Sequence, residues 1–410
     1  MNRLNHLTRV AAFGALVGLA ACESKSIVLG PTTPAGGDIF TSYVALGNSI
    51  TAGYQSAGIN DSTQRQSFAR LLAIQMGTQY HYASMQSPGC PPPIANGLTG
   101  ALLSTATPCA LRAGSSVTDI LNNVAVPGAR VLDPSSPSTV ASNALTTFVL
   151  GGKTQVQKAL DAKPTFATIW IGNNDVLTAG VTGLLTPYGS VSPGIVSSQT
   201  VFAANYDLMI KQLLDSAPGL KGVLIGVVKV DGVATLSLGS VVLAQNATIN
   251  AATGKTVVIN ANCTGSTALI NVPAIVQYIR LGALTASISC APTAVAAGPG
   301  FPGAFLGDIF VLDPTEQATL TSAITAYNNY ISGKATAIGF AYYDANALLA
   351  AQRTAGNVPA FPNFGSSTAT YGTLFSLDGI HPSGAAHKLI ANDLITTINT
   401  KYGTTLKLIP

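Results

Sequence analysis

Apolar residues in this chain follow two alternating rhythms. Short, mostly apolar runs end at glycine or polar loops: Tyr43-Val44-Ala45-Leu46 before Gly47, Val124–Val126 before Pro127-Gly128, Phe166–Ile171 before Gly172, then Val223–Val230 and Phe340–Tyr343. Runs this short, with no polar alternation, suit strands buried on both faces. Thr78–Met85 is β-prone and is read as a further strand-like run. Between these runs the spacing turns helical, over Ser67–Met76, Thr154–Leu160, Phe202–Leu214 and Pro314–Ala335. Asp313 is placed to cap the last of these, with Pro314 as its first residue. Residues 383–400 close the chain as an amphipathic helix that aligns Ala385, Leu389, Ile390, Leu394, Ile395 and Ile398. Strand and helix in repeated alternation predict an α/β domain: a parallel sheet sandwiched between helices, with chemistry at the carboxyl ends of the strands.

Two regions depart from this rhythm. Residues 231–310 are rich in Ala, Thr, Ser and Gly with short β-like pieces. They are read as an insertion within a domain spanning 41–410, either a lid over the site or a structural elaboration. At the other end, Arg3 and Arg9 precede an apolar run, Val10–Ala21, of only 12 residues. About 20 are needed to span a bilayer, so the run fits a signal-peptide core instead. It ends Leu19-Ala20-Ala21-Cys22, which resembles the bacterial lipobox, cut before a diacylated cysteine. The expectation is a leader over 1–21 and a lipid on Cys22, anchored stably by two acyl chains. Residues 22–40, rich in Pro, Gly, Ser and Thr, form the tether. Glu23, rather than Asp, favours the outer membrane, with a periplasmic or surface face. The competing reading is an ordinary signal peptide with Cys22 incidental.

Composition narrows the classes further. Nearly half of the 410 residues are apolar but only 9% are charged, against about a quarter in an average domain. The net charge of +4 comes without a Lys/Arg cluster, which excludes a nucleic-acid-binding surface. Past Cys22 four cysteines remain, an even number that reads as disulfides in an exported chain. The sequence-local pairing, Cys90–Cys109 with Cys263–Cys290, is preferred among three connectivities. No C-x-x-C spacing and no cluster of ligands suggests a metal, and no cofactor is expected. The protein is expected to be a monomer.

Nucleophile chemistry has one candidate, a serine in the turn after the first strand. Ser49 lies in Gly47-Asn48-Ser49-Ile50-Thr51-Ala52-Gly53, directly after the first strand, where a tight strand-to-helix turn presents a hydroxyl beside backbone N–H groups. A base must come from elsewhere. Of the four histidines, His6 falls in the leader, His81 in a strand-like run and His387 inside the closing helix. His381 differs: in Leu377-Asp378-Gly379-Ile380-His381-Pro382 an aspartate stands three residues before it. There Asp378 can accept from His381 Nδ1–H and so aim Nε2 at a nucleophile. Oxyanion donors are available from Trp170-Ile171-Gly172-Asn173-Asn174-Asp175, through an Asn amide, and from Gly128, where a backbone N–H can approach.

Taken in order, these blocks resemble the SGNH (GDSL-like) hydrolases: G-x-S near the amino terminus, an isolated Gly, G-x-N-D, and D-x-x-H-P before the last helix. The resemblance implies a three-layer α/β/α sandwich with a mostly parallel, flavodoxin-like sheet and a serine esterase acting on lipid, acetylated-sugar or small acyl esters. It makes Ser49 nucleophile and first oxyanion donor, Gly128 and Asn174 the other donors, and His381 the base oriented by Asp378. The family's usual G-D-S reads Gly47-Asn48-Ser49 here, an amide in place of a carboxylate. A conventional α/β-hydrolase fails on spacing, because Thr51 stands where G-x-S-x-G needs glycine and the Asp is only three residues from the His. The alternative of another class is a surface lipoprotein that binds carbohydrate or lipid at a retired site. The membrane anchor and apolar composition lean towards hydrophobic esters.

Overall fold

The structure, a computed structural model, describes residues 37–106, 109–111, 119–183, 185, 197–282, 286–291 and 310–410. The leader, Cys22 and most of the tether lie outside the described residues. The tether's last part does not: Gly37–Phe40 forms a 3-10 turn and Phe40 is buried in the core, so the domain begins before residue 41.

Four strands form a wholly parallel sheet: β1 (Tyr43–Gly47), β2 (Phe166–Trp170), β3 (Lys221–Ile225) and β4 (Ala341–Tyr343), adjacent in that order. One row runs straight across it, Ala45 beside Thr168, Val223 and Ala341. Outside β1 the extended segment 122–126 adds part of a fifth strand, with Ala45 N–H donating to Asn122 O (2.7 Å) and Val124 N–H to Ala45 O (3.0 Å). The chain therefore runs from β1 outward to 122–126 and back across β1 to β2. This reversal is the topological switch point of a flavodoxin-like sheet, and a crevice opens there at the carboxyl ends of β1 and β2.

Alternation along β1 and β2 divides two cores. Tyr43, Ala45, Phe166 and Trp170 face α2 (Phe68–Met76) and α7 (Gly384–Tyr402). Val44, Leu46, Ala167 and Ile169 face α3 (Gln155–Asp161), α4 (Gln199–Ser216) and α5 (Pro314–Ile338). With both faces covered the strands have no wet side, hence the mostly apolar runs; each buried Leu or Ile contributes about 1.5–3 kcal/mol. The helices start where capping chemistry permits. Asp313 accepts from Thr315 and Glu316 N–H, with Glu316 reaching back and Pro314 in the first turn. Thr154 and Gln157 form the same reciprocal cap on α3.

Three expectations need correction. Thr78–Met85 joins no ladder and makes only isolated bridges, Tyr82 with Asn123 and Met85 with Leu111. The run from Val223 leaves the sheet after Ile225, because the Asn328 amide takes both Val227 N–H (2.7 Å) and Val227 O (2.9 Å), replacing a strand neighbour. The insertion extends past residue 310. Its antiparallel sheet places Leu269–Asn271 between Leu236–Leu238 and Val311–Leu312, over a separate core that includes Val242, Ile249, Ile270 and Ile279. Both expected disulfides form, Cys90–Cys109 and, within that core, Cys263–Cys290.

Candidate active site

The turn after β1 is fixed before any catalytic group is considered. The Gln155 side chain on α3 grips the Gly47 peptide at both ends, accepting from its N–H (2.9 Å) and donating to its C=O (2.9 Å). A Cβ on Gly47 would stand 2.6 Å from Trp170 O, so only glycine passes here. Asn48 then caps α1 (Ser49–Ala52), its Oδ1 accepting from Ile50 N–H at 3.1 Å. An aspartate would serve that N–H equally well, so the change from G-D-S leaves the turn intact. Ser49 becomes the first helical residue, buried, and its N–H donates to no group among the described residues.

His381 arrives from the loop before α7. Phe375 bridges Pro382 across it, and Ser376 N–H donates to His381 O (2.9 Å). His381 Nε2 lies 2.9 Å from Ser49 Oγ, and its Nδ1 lies 2.8 Å from Asp378 Oδ2. With Nδ1–H donating to the carboxylate, Nε2 is left as acceptor for the serine proton. Asp378 Oδ1 accepts from Ile380 N–H (2.9 Å) and His381 N–H (2.8 Å). Burial pushes this carboxyl up, but the facing imidazole and these hydrogen bonds outweigh it and hold it down at about 2. It stays ionised at any working pH.

On the other side of the switch point, Asn174 Nδ2 donates to Ala129 O (2.8 Å), tying the turn after β2 to the Pro127-Gly128 loop. Asp175 reinforces the tie, its Oδ2 accepting from Val131 N–H at 3.0 Å. One hydrogen of the Asn174 amide remains for a ligand. Gly128 holds φ +83. Its N–H also donates to no group among the described residues, but Gly128 lies beside the cleft, not among the residues lining it. Ser49, Asn174 and His381 line a cleft of about 940 Å³, counting the space open to solvent. Its walls are apolar: Ile50 and Leu177, Val230 and Val233, Leu348 and Leu349 of α6 (Ala345–Thr354), Phe375 and Leu389. The insertion gives the wall only Val233 among its described residues.

The other histidines stand apart from this chemistry. His81 anchors Asn122 and Asn123 through its backbone. His387 is fully buried, accepts from Phe68 N–H (3.2 Å) and is held neutral, down at about 3, by burial and by nearby His381. Gln155 escapes sequence reasoning because it reads as an ordinary residue of an amphipathic helix. Helix α6, with the apolar wall it supplies, is missed as well, although Asp344 and the Ala-Leu run after it are a legible cap and helix.

No curated protein matches this chain. Among solved structures it is similar to an extracellular lipase from Streptomyces rimosus (16% identity, 87% of this chain and 99% of that one, TM-score 0.38). It is similar also to a family two carbohydrate esterase from Clostridium thermocellum (13%, 92% and 66%, TM-score 0.36). A third is phospholipase A1 from Streptomyces albidoflavus (15%, 90% and 99%, TM-score 0.33). Likenesses this slight say nothing about substrate. The family model described as GDSL-like Lipase/Acylhydrolase matches residues 43–394. With that match over most of its length, the chain belongs to the GDSL-like lipase/acylhydrolase family and is a carboxylic ester hydrolase.

Proposed function

We propose that the protein hydrolyses esters of apolar acyl groups through an acyl-enzyme on Ser49. The observation that carries this reading is the continuous relay from Ser49 Oγ to His381 Nε2 (2.9 Å) and from Nδ1 to Asp378 (2.8 Å), at the mouth of an apolar cleft. His381 takes the hydroxyl proton as Oγ attacks the ester carbonyl, and Asp378 steadies the imidazolium that forms. The oxyanion is met by Ser49 N–H, Gly128 N–H and the free Asn174 amide hydrogen. His381 then protonates the leaving alcohol, and the same pair activates water to release the acid. The acyl chain lies along Leu177, Val230, Leu348 and Leu349, which favours lipid or other hydrophobic esters over acetylated sugars.

Two further parts of the reading rest on sequence. A diacylated Cys22 holds the domain at the cell envelope, on the outer membrane, through the tether ahead of Phe40, and the domain acts as a monomer. A retired binding lipoprotein is not favoured, since Ser49, His381 and Asp378 remain within hydrogen-bonding distance. The experiment is hydrolysis of p-nitrophenyl esters by the domain and by Ser49→Ala. The substituted protein should lose the activity, and equal rates in the two would end the assignment.

A further inference from the structure

Leaving Ser49, the chain folds back at once. Gly53 ends α1, and Tyr54–Gly58 makes a two-residue hairpin in which Gln55 N–H donates to Gly58 O (2.9 Å) and Gly58 N–H to Gln55 O (3.1 Å). At its corner Ser56 has φ 55 and Ala57 φ 54. Two successive left-handed residues make the mirror-image turn that Asn-Gly fills comfortably; Ser-Ala does not. Such strain persists only where the surroundings over-determine it, and it gathers at functional sites.

What over-determines it here is the acid–base loop some 320 residues along the chain. Ala57 N–H donates to Asp378 Oδ2 (2.7 Å), the same oxygen that takes His381 Nδ1–H. Ser56 N–H donates to Ser376 Oγ (2.8 Å), whose own O–H passes to Asp378 Oδ1 (3.1 Å). Leu377 N–H returns to Ser56 Oγ (3.1 Å). Tyr54 lays its ring 4.8 Å from the imidazole and ties its hydroxyl to Ala57 O (2.6 Å). From behind, Ile94 N–H donates to Ser56 O (2.7 Å), and a Cβ on Gly58 would meet Pro93 N at 2.4 Å. The turn is held on both sides, with the Ala57 N–H on the carboxylate itself and the Ser56 N–H on the Ser376 hydroxyl that donates to it, an arrangement that suits an anion.

We propose that the strained Tyr54–Gly58 turn is a positioning element for the Asp378–His381 pair, with Ser376 the positioning side chain between them. The inference rests on the reading of Ser49, His381 and Asp378 as the reacting set. It ties the nucleophile's own segment to its base through one direct backbone donor, Ala57 N–H, and one link carried by the Ser376 hydroxyl. Deleting the Ser376 hydroxyl withdraws a donor from Asp378, concentrates its charge and makes it hold the imidazolium more tightly. The acid limb of kcat/KM therefore moves to higher pH. Tyr54, Tyr371 and His387 also face the pair. Burial and the Asp378 charge push both tyrosines up and burial keeps His387 neutral, so none of them titrates in that limb.

The test is the pH profile of Ser376→Ala beside Ser49→Ala and the parent. Expected for Ser376→Ala is a kcat about tenfold lower with KM unchanged, and an acid limb higher by about half a unit to one unit. Ser376→Thr, which keeps the hydroxyl, should return the limb. Should Ser376→Ala fold poorly, Ser376→Cys, a weaker donor, must shift the limb the same way by less. A parental profile in the folded variants, or a slower rate with an unmoved limb, overturns the proposal. Ser49→Ala as fast as the parent would instead remove the reading beneath it.

Discussion

Asp378 is the most informative single residue to change, because its five hydrogen bonds all come from donors. Oδ1 accepts from Ser376 O–H, Ile380 N–H and His381 N–H, and Oδ2 from Ala57 N–H and His381 Nδ1–H. Asp378→Asn introduces an NH2 into a site made only for acceptors. Keeping the amide oxygen on the three-donor side sets the NH2 against Ala57 N–H and His381. The imidazole can meet it only by turning Nδ1 into an acceptor and carrying its proton on Nε2. That nitrogen then faces Ser49 Oγ at 2.9 Å as a donor and cannot take the serine proton. The wrong tautomer costs about ten-thousandfold in kcat, roughly 5.5 kcal/mol of transition-state stabilisation. Initial rates with a p-nitrophenyl ester measure this, with circular dichroism to show that the fold persists. A fold-intact Asp378→Asn enzyme within tenfold of the parent would refute the reasoning.

Three other outcomes follow from the same geometry. Asn174→Ala removes the proposed oxyanion donor and should lower kcat by roughly a hundred- to a thousandfold with KM little changed, as steady-state kinetics will show; a loss confined to KM would place Asn174 in ground-state binding. Lengthening the acyl chain should raise kcat/KM about fourfold per methylene, from ~0.8 kcal/mol each, until the cleft fills; a profile falling from acetate onward would remove the preference for apolar acyl groups. Because Asp378 sits at about 2 in the fold against 3.8 ordinarily, its depressed value contributes about 2 kcal/mol of stability above pH 4. This is lost as pH falls through about 2. Urea unfolding should therefore show the gap between parent and Asp378→Asn closing between pH 5 and pH 2, and a constant gap would contradict it.

What could be read in the sequence was what local chemistry alone determines. β1 and β2 announce themselves because strands covered on both faces are almost wholly apolar, and the one hydroxyl of β2, on Thr168, is paired with the Tyr43 hydroxyl (2.7 Å). The D-x-x-H-P loop is legible because three residues suffice to set a carboxylate against an imidazole. Thr78–Met85 misleads because β-propensity reports a side chain's fit to a half-buried surface, and an extended segment meets that need without a ladder. Gly226–Val230 misleads because one distant amide, on Asn328, substitutes for a strand. Gln155 and the Ser56–Ala57 corner are invisible for the same reason, since their partners stand more than a hundred residues away. The apolar cleft likewise needs α6 and the β3 exit side by side, a juxtaposition no local pattern encodes.

The central claim is that the acyl group passes through Ser49 Oγ, and intact-protein and peptide mass spectrometry during turnover of a slowly deacylating ester tests it directly. The account predicts one acyl increment, on the peptide that contains Ser49, gone in Ser49→Ala and released as the substrate is exhausted. Steady hydrolysis with no adduct there, or with the increment on another residue, would contradict it.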